Sequence, residues 1–167
     1  MIHQDKIVCS FFGHRYIPEQ QTVAQQVERW LSLLAASGKP LCFLNGGMGA
    51  FDMICRDAVC RLKEQNPQLD ISQWLVIPYI TSAFRQEEES LRKIFDKIIT
   101  PNILKDLPRR DAIPARNQWM VDQSDFVTAY ITHPSGGAYQ AFRYAMQNPD
   151  VMVVQIGGEK SPAEPHP

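Results

Sequence analysis

The chain has 167 residues, with 17 Lys and Arg against 18 Asp and Glu and a formal net charge of −1. That length fits one domain able to bury its own core, and 44% apolar against 21% charged residues excludes a wholly disordered chain. The balanced charge gives no global basic field, which disfavours nucleic acid and anionic lipid as partners; no apolar run approaches the roughly 18 residues of a membrane span.

The start, Met1-Ile2-His3-Gln4-Asp5-Lys6, is polar and lacks a small-residue cleavage site, which predicts no signal peptide. Cys9, Cys42, Cys55 and Cys60 form no C-x-x-C pair and lie in apolar or helical stretches. They read as reduced, mostly buried thiols of a cytoplasmic protein. His3, His14, His133 and His166 have no ligand spacing with them, so no metal site and no cofactor are expected.

Lys6–Phe12 is a short apolar run that reads as a strand, interrupted by Gly13-His14-Arg15. Val23, Val27, Trp30, Leu31 and Leu34 then recur on one helical face, ended by Gly38 and Pro40. Leu41–Leu44 is a second strand running into Asn45-Gly46-Gly47-Met48-Gly49-Ala50-Phe51-Asp52. Ile54, Ala58 and Leu62 mark a second helix, Trp74–Ile77 a third strand, and Glu87–Phe95 a charged amphipathic helix. Lys97–Thr100 is a short fourth strand, and Asn102–Pro114 reads as a polar loop before a helix over Ala115–Gln123, with Pro114 near its start. Phe126–Thr132 is rich in β-formers, His133-Pro134-Ser135-Gly136-Gly137 breaks it, Ala138–Gln147 is helical, and Val151–Ile156 is the last strand.

Strands alternate with helices, and the strands are continuous apolar runs, as in parallel strands covered on both faces. The expected fold is α/β: a three-layer Rossmann-like domain with a mostly parallel sheet over residues 1–156, followed by a flexible tail over 157–167.

Ligands of open α/β sheets sit beyond the carboxyl ends of the strands. Gly13-His14-Arg15, Gly46-Gly47-Met48-Gly49 and Ser135-Gly136-Gly137 all fall there. Glycines let an anion approach backbone N–H groups, and the helices that follow add free N–H groups and partial positive charge. Gly46–Gly49 and Gly136–Gly137 are therefore candidate phosphate cradles. The second loop lacks the G-K-[ST] of a Walker sequence and the G-x-G-x-x-G of a dinucleotide fingerprint, which disfavours ATP hydrolysis and standard NAD binding. Arg15 and Arg116 each suit two parallel hydrogen bonds to a phosphate or carboxylate, with Asn117 beside Arg116. His14 polarises a substrate or caps a turn. Asp52 either serves the dipole of its helix or meets a ribose hydroxyl. No G-x-S-x-G elbow is present, so nucleophilic catalysis has no support.

These residues carry a resemblance. Phe11-Phe12-Gly13-His14-Arg15 resembles the "TGHR" opening of the YpsA-like bacterial proteins, and Asn45–Asp52 their "SGxxxGxD" stretch. Arg116-Asn117-Gln118-Trp119-Met120-Val121-Asp122-Gln123-Ser124-Asp125 resembles "RNxxMVDxSD", and Ser135-Gly136-Gly137 with Ala141, Arg143, Tyr144 and Ala145 resembles "GGTxxxxxYA". Order and spacing agree over about residues 7–156. These proteins belong to the SLOG superfamily, with the lonely-guy phosphoribohydrolases and the DNA-processing protein A family. The resemblance implies a Rossmann-like fold that binds a nucleotide or nucleotide derivative. It carries contacts onto Gly13, Arg15, Gly46, Gly47, Asp52, Arg116, Asn117, Gly136 and Gly137, and it implies a homo-oligomer. The lonely-guy enzymes resemble "PGGxGTxxE" in the last loop. Here Tyr139 and Gln140 replace Gly and Thr, and Arg143 stands where the catalytic Glu would be.

The reading that follows is a cytoplasmic protein binding a small-molecule nucleotide or derivative, with a sensor role as one form of it. Its candidate contacts are Gly13, His14, Arg15, Gly46, Gly47, Gly49, Asp52, Arg116, Asn117, Ser135, Gly136 and Gly137. One alternative is a hydrolase of an N-glycosidic or phosphoribosyl bond, for which Asp52 is the available acid. A second is a single-stranded nucleic-acid binder, which the net charge disfavours.

Overall fold

In the computed structural model, which describes Ile2 and residues 5–157, strands and helices alternate. The order is β1 (Ile7–Gly13), α1 (Gln20–Ala36), β2 (Leu41–Asn45), α2 (Ala50–Gln65), β3 (Ile71–Val76), α3 (Ser82–Ile94), β4 (Lys97–Ile99), α4 (Arg109–Asp122), β5 (Phe126–Tyr130), α5 (Gly137–Met146) and β6 (Met152–Gln155). The six strands form one sheet in the order β4-β3-β2-β1-β5-β6, every pair parallel. The chain steps outward from β1 to β4, then crosses back to place β5 on the other side of β1. Right-handed crossovers therefore put α1 to α3 on one face and α4 and α5 on the other.

The strands alternate between two cores, as their pleat requires. Cys9, Phe11 and Phe43 pack with Val27, Leu31, Phe51 and Val59 of α1 and α2. Val8, Phe12 and Leu44 pack with Met120, Val121, Ala141 and Ala145 of α4 and α5. Both strand faces are covered, so β1 and β2 read as continuous apolar runs. Asp125 leads into β5: its carboxylate accepts the Val8 N–H at 2.9 Å, while its own N–H donates to the Val8 carbonyl. Cys9, Cys42 and Cys55 are buried free thiols and Cys60 is half-buried. Burial pushes the Cys9 thiol up to about 12, so it stays protonated.

Three boundaries differ from the sequence expectation. β3 begins at Ile71 and α3 at Ser82, both upstream of Trp74 and Glu87. The early start of α3 follows from Thr81, whose hydroxyl accepts the Phe84 N–H at 3.0 Å as an N-cap. The expected loop over Asn102–Pro114 instead holds a 3₁₀ turn (Asn102–Leu104) and the first turn and a half of α4. Pro114 sits inside α4 rather than near its start. It deprives only the carbonyl of Arg110, an exposed residue whose backbone water can satisfy. No helix of the described residues is long and apolar enough to cross a membrane. The expected tail lies, beyond Gly157, outside the described residues.

Candidate functional site

The strand order reverses between β1 and β5, so the loops after these two strands part and leave a crevice at the carboxyl edge. Gly13 closes β1, and a side chain there would collide with the Phe51 ring. His14 turns inward: its N–H donates to the Tyr130 carbonyl at 3.1 Å, and its ring stacks on His133 with centroids 3.6 Å apart. The His133 N–H points at His14 Nε2 at 3.4 Å, and His133 Nδ1 is 2.9 Å from Ser135 Oγ. Burial, then the neighbouring His133, lowers the His14 pKa. The stack thus joins the β1–α1 and β5–α5 loops across the switch point, and His14 does more than cap a turn. Arg15 is exposed, and its carbonyl accepts the Ala50 N–H at 3.2 Å, tying this loop to the start of α2.

The two expected phosphate cradles differ. At α2, Gly49 takes φ +114°, and any side chain there would meet the Arg15 backbone. Asp52, in the first turn, bends back so that its carboxylate accepts the Met48 N–H at 2.7 Å. Asn45 is buried beneath the loop, accepting from Gly47 N–H at 2.7 Å and donating to the Asp52 carbonyl at 2.8 Å. The chain's own carboxylate therefore occupies the positive end of α2. At α5, Gly136 takes φ +91° with nothing within 4 Å of its missing side chain. No acidic residue lies in the first turn of α5 and no side chain caps it. The N–H groups that open α5 are left without a side-chain cap.

Arg116 lies mid-helix in α4 rather than at its start, and it is only 3% exposed. Its Nη1 donates to the Gly46 carbonyl at 3.2 Å and the Val76 carbonyl at 2.7 Å. Its Nε donates to Asn117 Oδ1 at 2.8 Å, and Nη2 finds only the Met48 sulfur at 3.2 Å. Burial lowers its pKa to about 10, against the pull of Asp52, so it remains a cation at neutral pH. Among the described residues no carboxylate forms an ion pair with it. Asp52, 7% exposed, is raised to about 6 by burial, opposed by the Met48 N–H, Arg116 and Arg15.

Gly13, Arg15, Gly46, Asp52, Arg116, Asn117 and Gly137 all line one small cavity of about 80 Å³ at the crevice, with Phe11, Phe12, Met48 and Ala138. His14, Ser135 and Gly136 line a neighbouring cavity instead, and Gly47 lies in the groove on the opposite side, between α2 and α3. Gly49 acts through the backbone at the start of α2. Sequence reasoning missed Met48 and the His14–His133 stack; two histidines following two strands of one sheet edge were the signal for the latter. Among the aromatic residues near strand ends, Tyr79 and Phe84 line the α2–α3 groove, while Tyr139 packs near Phe142 and does not line the crevice.

No protein-family model matches the chain, and no curated protein matches it. Solved structures do. DNA processing protein A from Streptococcus pneumoniae superposes with a TM-score of 0.62 at 18% identity, over 92% of this chain and 51% of that one. The Helicobacter pylori DNA processing protein A, described for its single-stranded DNA binding mode, gives 0.59 at 17% identity over 93% and 68%. A molybdenum cofactor binding protein from Rippkaea orientalis gives 0.53 at 18% identity over 92% and 78%. The chain has their fold. It spans about half the length of the pneumococcal protein. Arg143, which stands where the lonely-guy Glu would be, is exposed on α5 and does not line the crevice.

Proposed function

We propose that the protein binds a nucleotide or nucleotide derivative through its phosphate at the carboxyl edge of the sheet, as a YpsA-like member of the SLOG superfamily. One observation carries this reading: a buried arginine that pairs with no carboxylate among the described residues faces the uncapped start of α5 across a phosphate-sized crevice. A buried cation is costly unless paired, and an anion lying between Arg116, Arg15 and the α5 N–H groups supplies the missing partner. Residues 1–156 act here as one binding unit, and the free thiols support a reducing, cytoplasmic setting.

The test is a thermal-shift and calorimetric panel of nucleotides. A ligand at about 100 times its Kd stabilises the protein by roughly 2.7 kcal/mol. Arg15→Ala, at an exposed position, leaves the fold intact and weakens a phosphate-bearing ligand about tenfold or more. Equal affinity in wild type and Arg15→Ala defeats the reading.

A second reading rests on Asp52. A carboxyl group raised to about 6 is poised for proton transfer near neutral pH, which suits hydrolysis of an N-glycosidic or phosphoribosyl bond. Chromatography of nucleotides incubated with wild type and Asp52→Asn decides it: products that persist in the variant, or none at all, remove Asp52 as the acid.

A further inference from the structure

Cavities lie along the carboxyl edge on both sides of the phosphate crevice. Between α2 and α3 opens a groove of about 710 Å³, lined among others by Met53, Leu75, Tyr79, Phe84, Leu91 and Ile94. Between the β1–α1 and β5–α5 loops opens a slot of about 520 Å³, lined among others by His14, Tyr16, Tyr130, Thr132 and His133. Gly46, Met48 and Asp52 line both the groove and the crevice; Arg15 lines both the crevice and the slot. The order groove, crevice, slot follows the strand order β3, β2, β1, β5.

The sizes constrain what the row accepts. A crevice of about 80 Å³ suits a phosphoryl group and falls well short of the roughly 300–1,000 Å³ that a whole small-molecule ligand occupies. The rest of any ligand anchored there must lie on a flank. Both flanks are of ligand size, since small-molecule pockets span about 300–1,000 Å³, and both are lined largely by apolar and aromatic side chains.

Among the described residues, none fills the groove. Phe84, Leu91 and Ile94 share one face of α3, yet no residue of that helix is buried. On the other flank, Tyr16 is 79% exposed beside the stacked imidazoles. Two cationic side chains serve the centre, Arg116 inside the crevice and Arg15 at its mouth. That is one more than a single phosphoryl group needs.

We infer that the ligand is two-armed: a pyrophosphate-bridged molecule whose phosphates meet Arg116 and Arg15, with one ring-bearing arm in the α2–α3 groove and a second in the His14–His133 slot. The class is a dinucleoside pyrophosphate or a comparable nucleoside diphosphate conjugate. This inference rests on the anion-binding reading above and adds the second arm to it.

Calorimetry with inorganic pyrophosphate, ADP and diadenosine pyrophosphate tests it. Diadenosine pyrophosphate is expected to bind at least about tenfold more tightly than ADP. Three uncharged substitutions probe the arms from positions outside the cores. Ala83→Trp plugs the groove from an exposed site on α3, with Leu91→Gln as an independent groove variant, and Tyr16→Ala strips the slot. Groove and slot variants should each weaken the two-armed ligand by about fivefold or more. ADP should respond to one flank only, and pyrophosphate to neither.

Equal binding of ADP and diadenosine pyrophosphate overturns the two-armed ligand while leaving the anion site standing. So does a two-armed ligand indifferent to either flank. Failure of all three probes overturns the anion-binding reading itself. An oligonucleotide that binds with steep salt dependence where the small ligands do not overturns the inference in favour of a strand.

Discussion

Asp52 and Arg116 share one buried corner without forming an ion pair; burial pushes each toward neutrality, and the charge of the other opposes it. For Asp52 the rise from 3.8 to about 6 means that, between about pH 4 and 6, the folded chain holds a proton that the unfolded chain has released. Stability therefore falls as pH rises through that window, by about 3 kcal/mol for a shift of this size. Asp52→Asn keeps an acceptor for the Met48 N–H and removes the slope. His14 acts with the opposite sign: its lowered pKa makes stability fall as pH drops below the ordinary histidine value. Urea melts of wild type and Asp52→Asn from pH 4 to 7 should thus show a downward trend with pH that flattens or reverses in the variant. An unchanged slope would place the proton elsewhere. Arg116 has a structural task that its sequence context hides. Arg116→Ala orphans the Gly46 and Val76 carbonyls and should cost about 2–4 kcal/mol in denaturant melts, besides any loss of binding. From the sequence alone this side chain reads as a ligand contact whose removal spares the fold, because the two carbonyls it holds lie 70 and 40 residues away.

At the scale of elements, the apolar pattern located every α-helix and strand of the described chain but not the 3₁₀ turn at Asn102–Leu104, and local chemistry decided where the expected ends failed. Thr81 caps α3 ahead of its charged run, and the Pro108 carbonyl accepts the Asp111 and Ala112 N–H groups, starting α4 before Pro114 is reached. Spacing in α3 marks a charged amphipathic helix with one apolar face. What spacing could not say is that the apolar face looks onto an open groove instead of a core. The consequence is measurable by truncation: Leu91→Ala on α3 should cost under about 1 kcal/mol, whereas Leu62→Ala, 3% exposed on α2, should cost about 2–5 kcal/mol. Comparable losses at the two positions would mean that α3 packs as tightly as α2.

Across the whole molecule, the parallel sheet and the gathering of three glycine-bearing loops at one edge were legible in the sequence, because unbroken apolar strands alternating with helices admit few other folds. The strand order was not. Nothing in Phe126–Tyr130 announces that β5 lies beside β1 rather than beyond β4, yet that placement creates the switch point and brings His133 onto His14. The division of labour between the two glycine loops was equally hidden, since both follow a strand and open a helix. It turns on one carboxylate, Asp52, folding back onto its own backbone. The likeness to DNA processing protein A agrees with this architecture over 92% of the chain.

The guanidinium of Arg116 spans from the Gly46 carbonyl after β2 to the Val76 carbonyl ending β3, and it fixes one wall of the crevice before anything enters it. The facing wall, Gly137 and Ala138 at the start of α5, follows an exposed loop that is held across the switch point by the His14–His133 ring stack and by no guanidinium. On the proposed reading, a ligand therefore meets one wall anchored to two strand ends and another held by a single ring stack. Selection by shape falls to Gly46–Met48, and accommodation of differing ligands falls to the loop that opens α5.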